Sequence, residues 1–572
     1  MQSSFQLPIG YLKRKEKLDV ALIDDLELLR TDEGEPSLYS HVLGEKTGLG
    51  ARTFNLWACH YTADRQFIRD TQRLVSGRVP DPLPSTTEQE VCDLWTQMEA
   101  RAAAGADVDD FHSQYQFIDW GSLRWLNMQP LFLAMLSLYN IGSPILSLAT
   151  PIFIMLVPFV VLRLRKSAVS MAEYMEILRI AMRSHALGKL FDLGSASLQQ
   201  KAYIAVSLAF YVLQVYQNVR SCIQFCTNLS TVRRHVRATK TFLHDWTERA
   251  QAMEKRLAGL KSYAPFLSQQ RRWVAAARSL DARLPALDHK DDWWSKLSKI
   301  GSTMQAFYAV HQDPEVRHVL AYALDWCGYV ENLRQIQSRV RPGCLQKCKL
   351  SRAKTKFSDA YFPTAGPDAV RNSYSLDKHL LVTGPNAAGK TTILKATLFN
   401  VLLSQQIGYG FYAKALIAPY DRIHCYINIP DTGGRDSLFQ AEARRCRDIL
   451  GDIEALPPRT RHFCVFDELY SGTNPYEAIG SAEAFLRYIG DRPEGSFIMT
   501  THFLELCSRL AAHKRVANHH MEAACREGGM TYTYKLGEGI SRVRGGVEVL
   551  RGLDYPEKVV EEAALAVSTL SL

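Results

Sequence analysis

The 572-residue sequence has no regular cysteine framework, no internal repeat and no low-complexity tract. Its twelve cysteines are scattered, which argues against a disulfide-stapled secreted scaffold. Only Cys344 and Cys348 form a close pair in a basic stretch, and a lone CxxxC without a second ligand pair is a weak metal signal. The opening MQSSFQLPIGYLKRKEK lacks the apolar core of a secretory signal, so a reducing, intracellular compartment is expected. A strong charge surplus is missing too. A net +9 over this length permits nucleic acid or an anionic membrane surface as partner and requires neither. The 47 % hydrophobic and 22 % charged composition is that of ordinary globular domains and argues against long disordered tails. The length suffices for several such domains, each with its own core.

Charge is also absent locally. Trp125–Leu162 holds no charged residue in 38 positions, and Pro144–Leu162 within it is nearly pure hydrocarbon. Ala202–Val219 is a second uncharged run. Two readings stay open for residues 125–219. One is a buried helix pair at the heart of an arm domain. The other is membrane association, since the first run is long enough for one or more membrane segments. Two spans would put Arg163–Lys201, with seven basic and three acidic residues, opposite the C-terminal domain and against the positive-inside tendency. A single hairpin within Trp125–Leu162, turning near Asn140–Pro144, would keep both flanks on one side but with arms short for full crossings.

The chain divides by texture into four segments. Residues 1–120 read as the first part of a helical core, and 121–225 as an apolar helical segment. Residues 226–340, rich in Leu, Ala, Arg and Glu, read as a helical lever or arm. Leu333–Phe357 carries eight basic residues and no acidic one, with a break at Pro342–Gly343, and looks like a linker. Within 341–572, short apolar strands alternate with helices and Gly-rich turns after Leu380, as in a doubly wound α/β domain. The predicted fold class is therefore multidomain: a mostly α-helical N-terminal and lever region followed by an α/β domain in which GPNAAGKTT, Gly384–Thr392, between strand and helix, marks a P-loop NTPase.

Three motifs carry chemistry. An apolar strand from His379 feeds Gly384-Pro385-Asn386-Ala387-Ala388-Gly389-Lys390-Thr391-Thr392, of form GxxxxGK[ST], and a helical pattern follows. Glycines let backbone N–H groups close around phosphates, and the helix N-terminus adds positive partial charge. Lys390 would reach the β- and γ-phosphates of ATP, and the Thr391 hydroxyl would take a Mg²⁺ position. A second apolar strand, from His462, ends in Asp467-Glu468. Asp467 would hold Mg²⁺ through water, and Glu468 would polarise the attacking water. A third strand, Ser496-Phe-Ile-Met-Thr-Thr, leads to His502, placed to sense the γ-phosphate.

TGPNAAGKTT, FDELYSGTNPYEA and TTHFLEL together resemble the ATPase of the MutS mismatch-repair family, within the wider ABC-type superclass. Gln406-Ile-Gly408, Asp421-Arg422-Ile423 and Gly434-Arg-Asp-Ser437-Leu-Phe-Gln-Ala-Glu442 resemble that family's intervening segments in the same order, and no LSGGQ-like transporter signature is present. Val516-Ala-Asn518-His519-His520-Met521, Tyr534-Lys-Leu, Gly539-Ile-Ser541 and the helix near Pro556 match its tail. Weaker matching near 36–75 includes Thr47-Gly-Leu-Gly50-Ala-Arg52, Trp57 and Thr71-Gln72. The resemblance implies a Mg²⁺-dependent ATPase that pairs with itself or a homologous subunit, Ser437 being presented to the partner's γ-phosphate. Asp436 is inserted in that step, and an added carboxylate would repel a phosphate unless turned away or neutralised.

Mismatch readers of the family wedge a Phe-x-Glu pair into DNA. Both such triplets here, Phe466–Glu468 and Phe503–Glu505, belong to the motor motifs, so no mismatch-reading domain of that kind is expected. DNA would be held through phosphate contacts, with Arg233, Arg234, Arg237, Lys240, Arg271, Arg272 and Trp273 as candidates, an ordinary solvated helix face being the alternative. The function expected is a DNA-binding, ATP-dependent dimeric clamp in mismatch repair or related recombination and repair. The alternative is a membrane-associated mechanical ATPase built on the same motor.

Overall fold

The structure is a computed structural model describing residues 4–30, 36–44, 48–103, 108–164, 170–183, 197–288, 292–366, 368–427, 437–526, 529–541, 543, 546–553 and 555–569. Its contacts group the chain into two compact units rather than four consecutive segments. One combines Leu83–Thr247 with Val274–Leu320; the other combines Ser3–Pro82, Glu248–Trp273 and Ala321–Leu572.

The first unit is helical. Phe307, on the helix Ile300–Gln312, stacks on Phe111 at 5.8 Å and meets Tyr115 at 4.7 Å and His311 at 4.3 Å, an aromatic core drawn from distant segments. The apolar run forms one continuous helix, Pro130–Leu164, so the turn expected near Asn140–Pro144 is not there. Pro144 cannot supply an N–H to the Asn140 carbonyl four residues back. Ser143 Oγ donates to that carbonyl instead, at 3.2 Å, which lets the helix run through. The second uncharged run opens the 60-residue helix Leu198–Leu257, antiparallel to the first. Neither run is buried core: Leu131 is 74 % exposed, Ile145 71 % and Phe210 67 %.

The second unit is built on a six-stranded sheet. Its strands in chain order are β1 (His379–Thr383), β2 (Arg422–Tyr426), β3 (His462–Asp467), β4 (Gly495–Thr500), β5 (Val516–Arg526) and β6 (Gly529–Glu538). Spatially they run β6-β5-β1-β4-β3-β2, parallel except for β6 at the edge. Leu380–Val382, Phe463–Phe466 and Phe497–Met499 are all buried, as expected of parallel strands covered on both faces. Helices α1 (Lys390–Gln406), α2 (Leu438–Ala455) and α3 (Pro475–Gly490) connect them. The basic stretch read as a linker is ordered structure: the helix Pro314–Val340, then the strands Gln346–Leu350 and Lys356–Ala360 of a separate five-stranded sheet. Its lysines fall on exposed positions, as Lys347 and Lys349 do on either side of buried Cys348.

The C-terminus of α1 is gripped by the N-terminal region of the same unit. Ser404, Gln405 and Gln406 are consecutive buried polar residues. Gln405 Nε2 donates to the Thr62 and Tyr420 carbonyls at 3.1 and 2.8 Å, and its Oε1 accepts from Tyr420 N–H at 2.8 Å. Gln406 Nε2 donates to the Trp57 and His60 carbonyls at 2.8 and 3.0 Å, while Tyr39 donates to Oε1 at 3.0 Å. Gly408 then turns the chain at φ +78° and offers its carbonyl to Gln72 Nε2 at 2.9 Å. A Cβ on Gly408 would lie 2.3 Å from Gln72 Cγ. Gly408→Ala therefore combines a left-handed backbone with an overlap and should destabilise the unit by about 2–3 kcal/mol, read as a lower denaturant midpoint. An unchanged midpoint would show that this grip is loose.

Three histidines are buried as neutral rings in the sheet. His379 stacks on Phe497 at 4.3 Å, accepts from Phe497 N–H at Nδ1 and sets Nε2 3.2 Å from the Gly490 carbonyl, which fixes the Nε2–H tautomer. His424 and His462 share a hydrogen bond at 3.1 Å. Burial pushes His379 down to about 4 and His424 to about 3, and lowers His462 as well. Unfolded histidines, near about 6.5, bind protons that these folded ones refuse. Their stabilising contribution is thus complete above that pH and withdrawn as pH falls toward 4. Unfolding midpoints should drop between about pH 7 and pH 5. A flat profile across that window would reject neutral burial.

Candidate functional site

Three parallel strands end side by side. Asp467, the last residue of β3, pairs in register with Thr500 of β4, and Thr500 pairs with Val382 of β1. The residues just beyond these ends converge, as ligand-binding groups do at the carboxyl edge of such sheets. From β1 the chain enters the loop Gly384–Gly389, in which Ala387 has φ +62° and Gly389, the N-cap of α1, has φ +90°. These left-handed turns and the start of a 17-residue helix aim backbone N–H groups outward, a site suited to an anion. Asn386 and Ala387 are exposed there, while Pro385 and Ala388 are buried beneath.

Lys390 opens α1 with its side chain only 6 % exposed. Nζ donates to the Gly384 and Pro385 carbonyls at 3.2 and 3.3 Å, and lies 4.0 Å from Glu468 Oε1. Burial lowers its pKa, opposed by the Glu468 and Asp467 charges. The Thr391 hydroxyl donates to Asp467 Oδ2 at 2.7 Å, and the Thr500 hydroxyl donates to the other carboxylate oxygen. Thr392 is exposed beside them.

Glu468 sits at φ +52°, a left-handed conformation unusual for a residue with a side chain. Its Oε1 lies 2.8 Å from His502 Nε2. That hydrogen bond holds the carboxyl below its usual range, helped by the His502 and Lys390 charges and opposed by burial. The same ring nitrogen lies 3.1 Å from Lys390 Nζ. Protonated, it donates to Glu468; deprotonated, it accepts from Lys390. It cannot do both at once, so the ring links the lysine and the carboxylate as alternatives.

Lys390, Thr391, Asp467, Glu468 and His502, each singled out from sequence, are thus brought together. Ser437 is not hydrogen-bonded to this cluster among the described residues. It is the N-cap of α2 in a capping box, its hydroxyl accepting from Gln440 N–H at 3.3 Å and its N–H donating to Gln440 Oε1 at 2.9 Å. Gly434 to Asp436 lie outside the described residues. Lys240 is held structurally, donating to the Asp281 and Leu284 carbonyls at 2.6 and 3.1 Å. Arg271 pairs with Glu254 at 2.8 Å, and Trp273 stacks on Tyr322 at 5.0 Å. Arg234 and Arg272 are exposed.

Two partners went unassigned in the sequence reading. Thr500 braces Asp467, legible only once β3 and β4 are known to be in register. Buried Glu442 of α2 accepts from Ser471 N–H and hydroxyl at 3.1 and 3.0 Å and from Gly472 N–H at 3.2 Å. It thereby fixes the loop leaving Glu468. Beside the loop is a cavity of about 280 Å³ lined by Tyr361, Phe362, Gly389, Ile393, Met521 and Tyr534. The tail closes back on β1, Ser541 N–H donating to Thr383 Oγ1 at 2.8 Å. Glu442→Ala would remove the shared acceptor of three donors on exposed Ser471 and Gly472 and should cost about 1–2 kcal/mol of stability, whereas Glu442→Gln should recover part of it. Equal losses in unfolding midpoint for both variants would deny the carboxylate this bracing role.

Residues 380–571 match the family model of MutS domain V. DNA mismatch repair proteins MutS of Staphylococcus aureus strains JH9, Newman and N315 are each 27 % identical over 205 residues, covering 35 % of this chain. The match spans 23 % of those relatives' length. The converging strand ends fall within residues 380–571, the part of the chain that is similar to MutS domain V.

Proposed function

We propose that this chain is a Mg²⁺-dependent ATPase of the MutS type, acting as a dimer on DNA in mismatch repair or a related repair or recombination process. The observation that carries the proposal is the meeting of Lys390, the Thr391–Asp467 hydrogen bond and the Glu468–His502 pair at three adjacent strand ends. The donor set fits the cofactor. A hydroxyl and a carboxylate already in contact are hard oxygen ligands of the kind Mg²⁺ prefers, and backbone N–H groups at a helix start suit phosphate. Bound Mg²⁺ would neutralise phosphate charge and orient the terminal group.

The chain's own residues supply the rest. Thr391 and Asp467 would hold the metal, with Thr500 keeping the carboxylate oriented. Lys390 exchanges the Gly384 and Pro385 carbonyls for phosphate oxygens. Glu468, kept ionised by His502, accepts a proton from the attacking water. His502 reports on the lysine side of the site through the nitrogen it shares with Glu468. The apolar cavity beside Gly389 takes the nucleoside base between aromatic and methionine side chains. Ser437, at the N-terminus of α2, faces the partner subunit's nucleotide. Arg234 and Arg272, both exposed, would contact DNA phosphates.

Lys390→Ala should abolish measurable nucleotide binding, and Glu468→Gln should bind ATP yet turn it over roughly 10²–10⁴-fold more slowly. Normal turnover in the glutamine variant would remove Glu468 from the mechanism. With duplex DNA, perfectly paired or mismatched, the wild-type ATPase rate should change in a salt-sensitive way. A rate indifferent to every DNA at low and high salt would exclude the DNA arm of the proposal.

A further inference from the structure

The helix Pro130–Leu164 and the first part of Leu198–Leu257 form an antiparallel pair. Polar contacts link them: Tyr211 donates to the Ser147 carbonyl at 3.2 Å, Asn218 Nδ2 bonds Ser147 Oγ, and Cys222 Sγ approaches the Ile141 carbonyl at 3.4 Å, alongside buried Leu133, Ile204 and Phe225. Among the described residues, their outer faces are apolar and largely exposed, although the helix Met171–Arg183 packs against the first of them. Leu131, Ile145 and Leu148 on the first helix and Tyr203, Phe210 and Val212 on the second are each 58 % exposed or more. With exposed Tyr139 on the first helix and Val206, Leu213 and Tyr216 on the second, such positions at 100° per residue cover about half of each circumference, wider than the roughly 100° stripe a soluble helix turns to its core. A water-soluble pair would bury these side chains and hydrate the serine, asparagine and tyrosine.

We propose that this pair is inserted in a lipid bilayer. The 38-residue charge-free run and the 18-residue run Ala202–Val219 supply the length. At 1.5 Å per residue the shorter run measures about 27 Å, close to a hydrocarbon core of about 30 Å. Polar contacts between helices and a serine that satisfies the carbonyl opposite Pro144 are the devices helices need where no water can reach them. Aromatic side chains mark one boundary. Trp120 and Trp125, 74 % and 59 % exposed, precede the first helix. Trp293 and Trp294, 61 % and 63 % exposed, stack on each other just before Gly301, whose Cα faces the Pro130 carbonyl. Exposed tryptophans immediately before an apolar helix, as Trp120 and Trp125 are, fit the headgroup layer.

The test uses the full-length chain. The wild type should stay with membranes through alkaline carbonate, require detergent for release, and float with vesicles of phosphatidylcholine and phosphatidylglycerol. Leu148→Lys with Phe210→Lys should reduce flotation about tenfold, whereas Ser230→Lys, beyond the apolar run, should leave it unchanged. ATP turnover checks that each variant is folded and is scored separately, so failure here leaves the ATPase proposal standing. Wild-type protein that enters the carbonate supernatant and ignores vesicles would overturn the inference, independently of any variant. So would a detergent-free dimer that dissociates on Leu148→Lys, since a second copy would then cover these faces.

Discussion

Helix α1 begins with Lys390 and Thr391 and ends with three buried polar side chains, Ser404, Gln405 and Gln406. Six hydrogen bonds from the two glutamines tie that end to Tyr39, Trp57, His60, Thr62 and Tyr420. Buried amides are costly unless satisfied, and these are satisfied by groups more than 340 residues away in sequence as well as by near neighbours. The helix is therefore seated by residues 39–72 at one end while its other end presents the ammonium and hydroxyl of the site. A displacement of the N-terminal segment has a stiff path to the strand ends, since an α-helix of this length transmits an axial push with little bending.

The second constraint is register. Asp467 and Thr500 face each other because β3 and β4 pair without offset, and a one-residue slip would turn the carboxylate to the opposite face of the sheet. The apolar runs of both strands hold that register, so hydrophobic burial well inside the sheet sets the position of a carboxylate at its edge. Glu442 extends the same control to the loop after Glu468, whose own left-handed backbone is held between a fixed strand end and a braced turn.

How much of this was legible in the sequence follows from the range of the forces involved. Strands buried on both faces read as pure apolar runs, and chemistry placed at their ends is local, so Lys390, Thr391, Asp467, Glu468 and His502 could be found without coordinates. Thr500 and Glu442 act across elements, and nothing in their own neighbourhood announces it. The hairpin expected at Pro144 failed because a proline reads as a breaker unless a neighbouring side chain serves the freed carbonyl, as Ser143 does. The supposed linker failed because alternating lysines on exposed strand positions look like uninterrupted basic composition. The grouping of residues 3–82 with the C-terminal sheet was invisible for a different reason: it rests on side-chain amides meeting distant carbonyls, which leave no periodic trace.

The Lys390 ammonium has its partners assembled around it: two loop carbonyls, the His502 ring nitrogen and, farther off, the Glu468 carboxylate. Any incoming anion must win the ammonium from neighbours that stay where they are, and any departing anion leaves it beside acceptors ready to take it back. The loop thus works as a latch with a built-in return. For the proposed nucleotide this sets a threshold: a singly charged anion would offer little more than the carbonyls already do, whereas a polyanion that also engaged the backbone N–H groups would displace them.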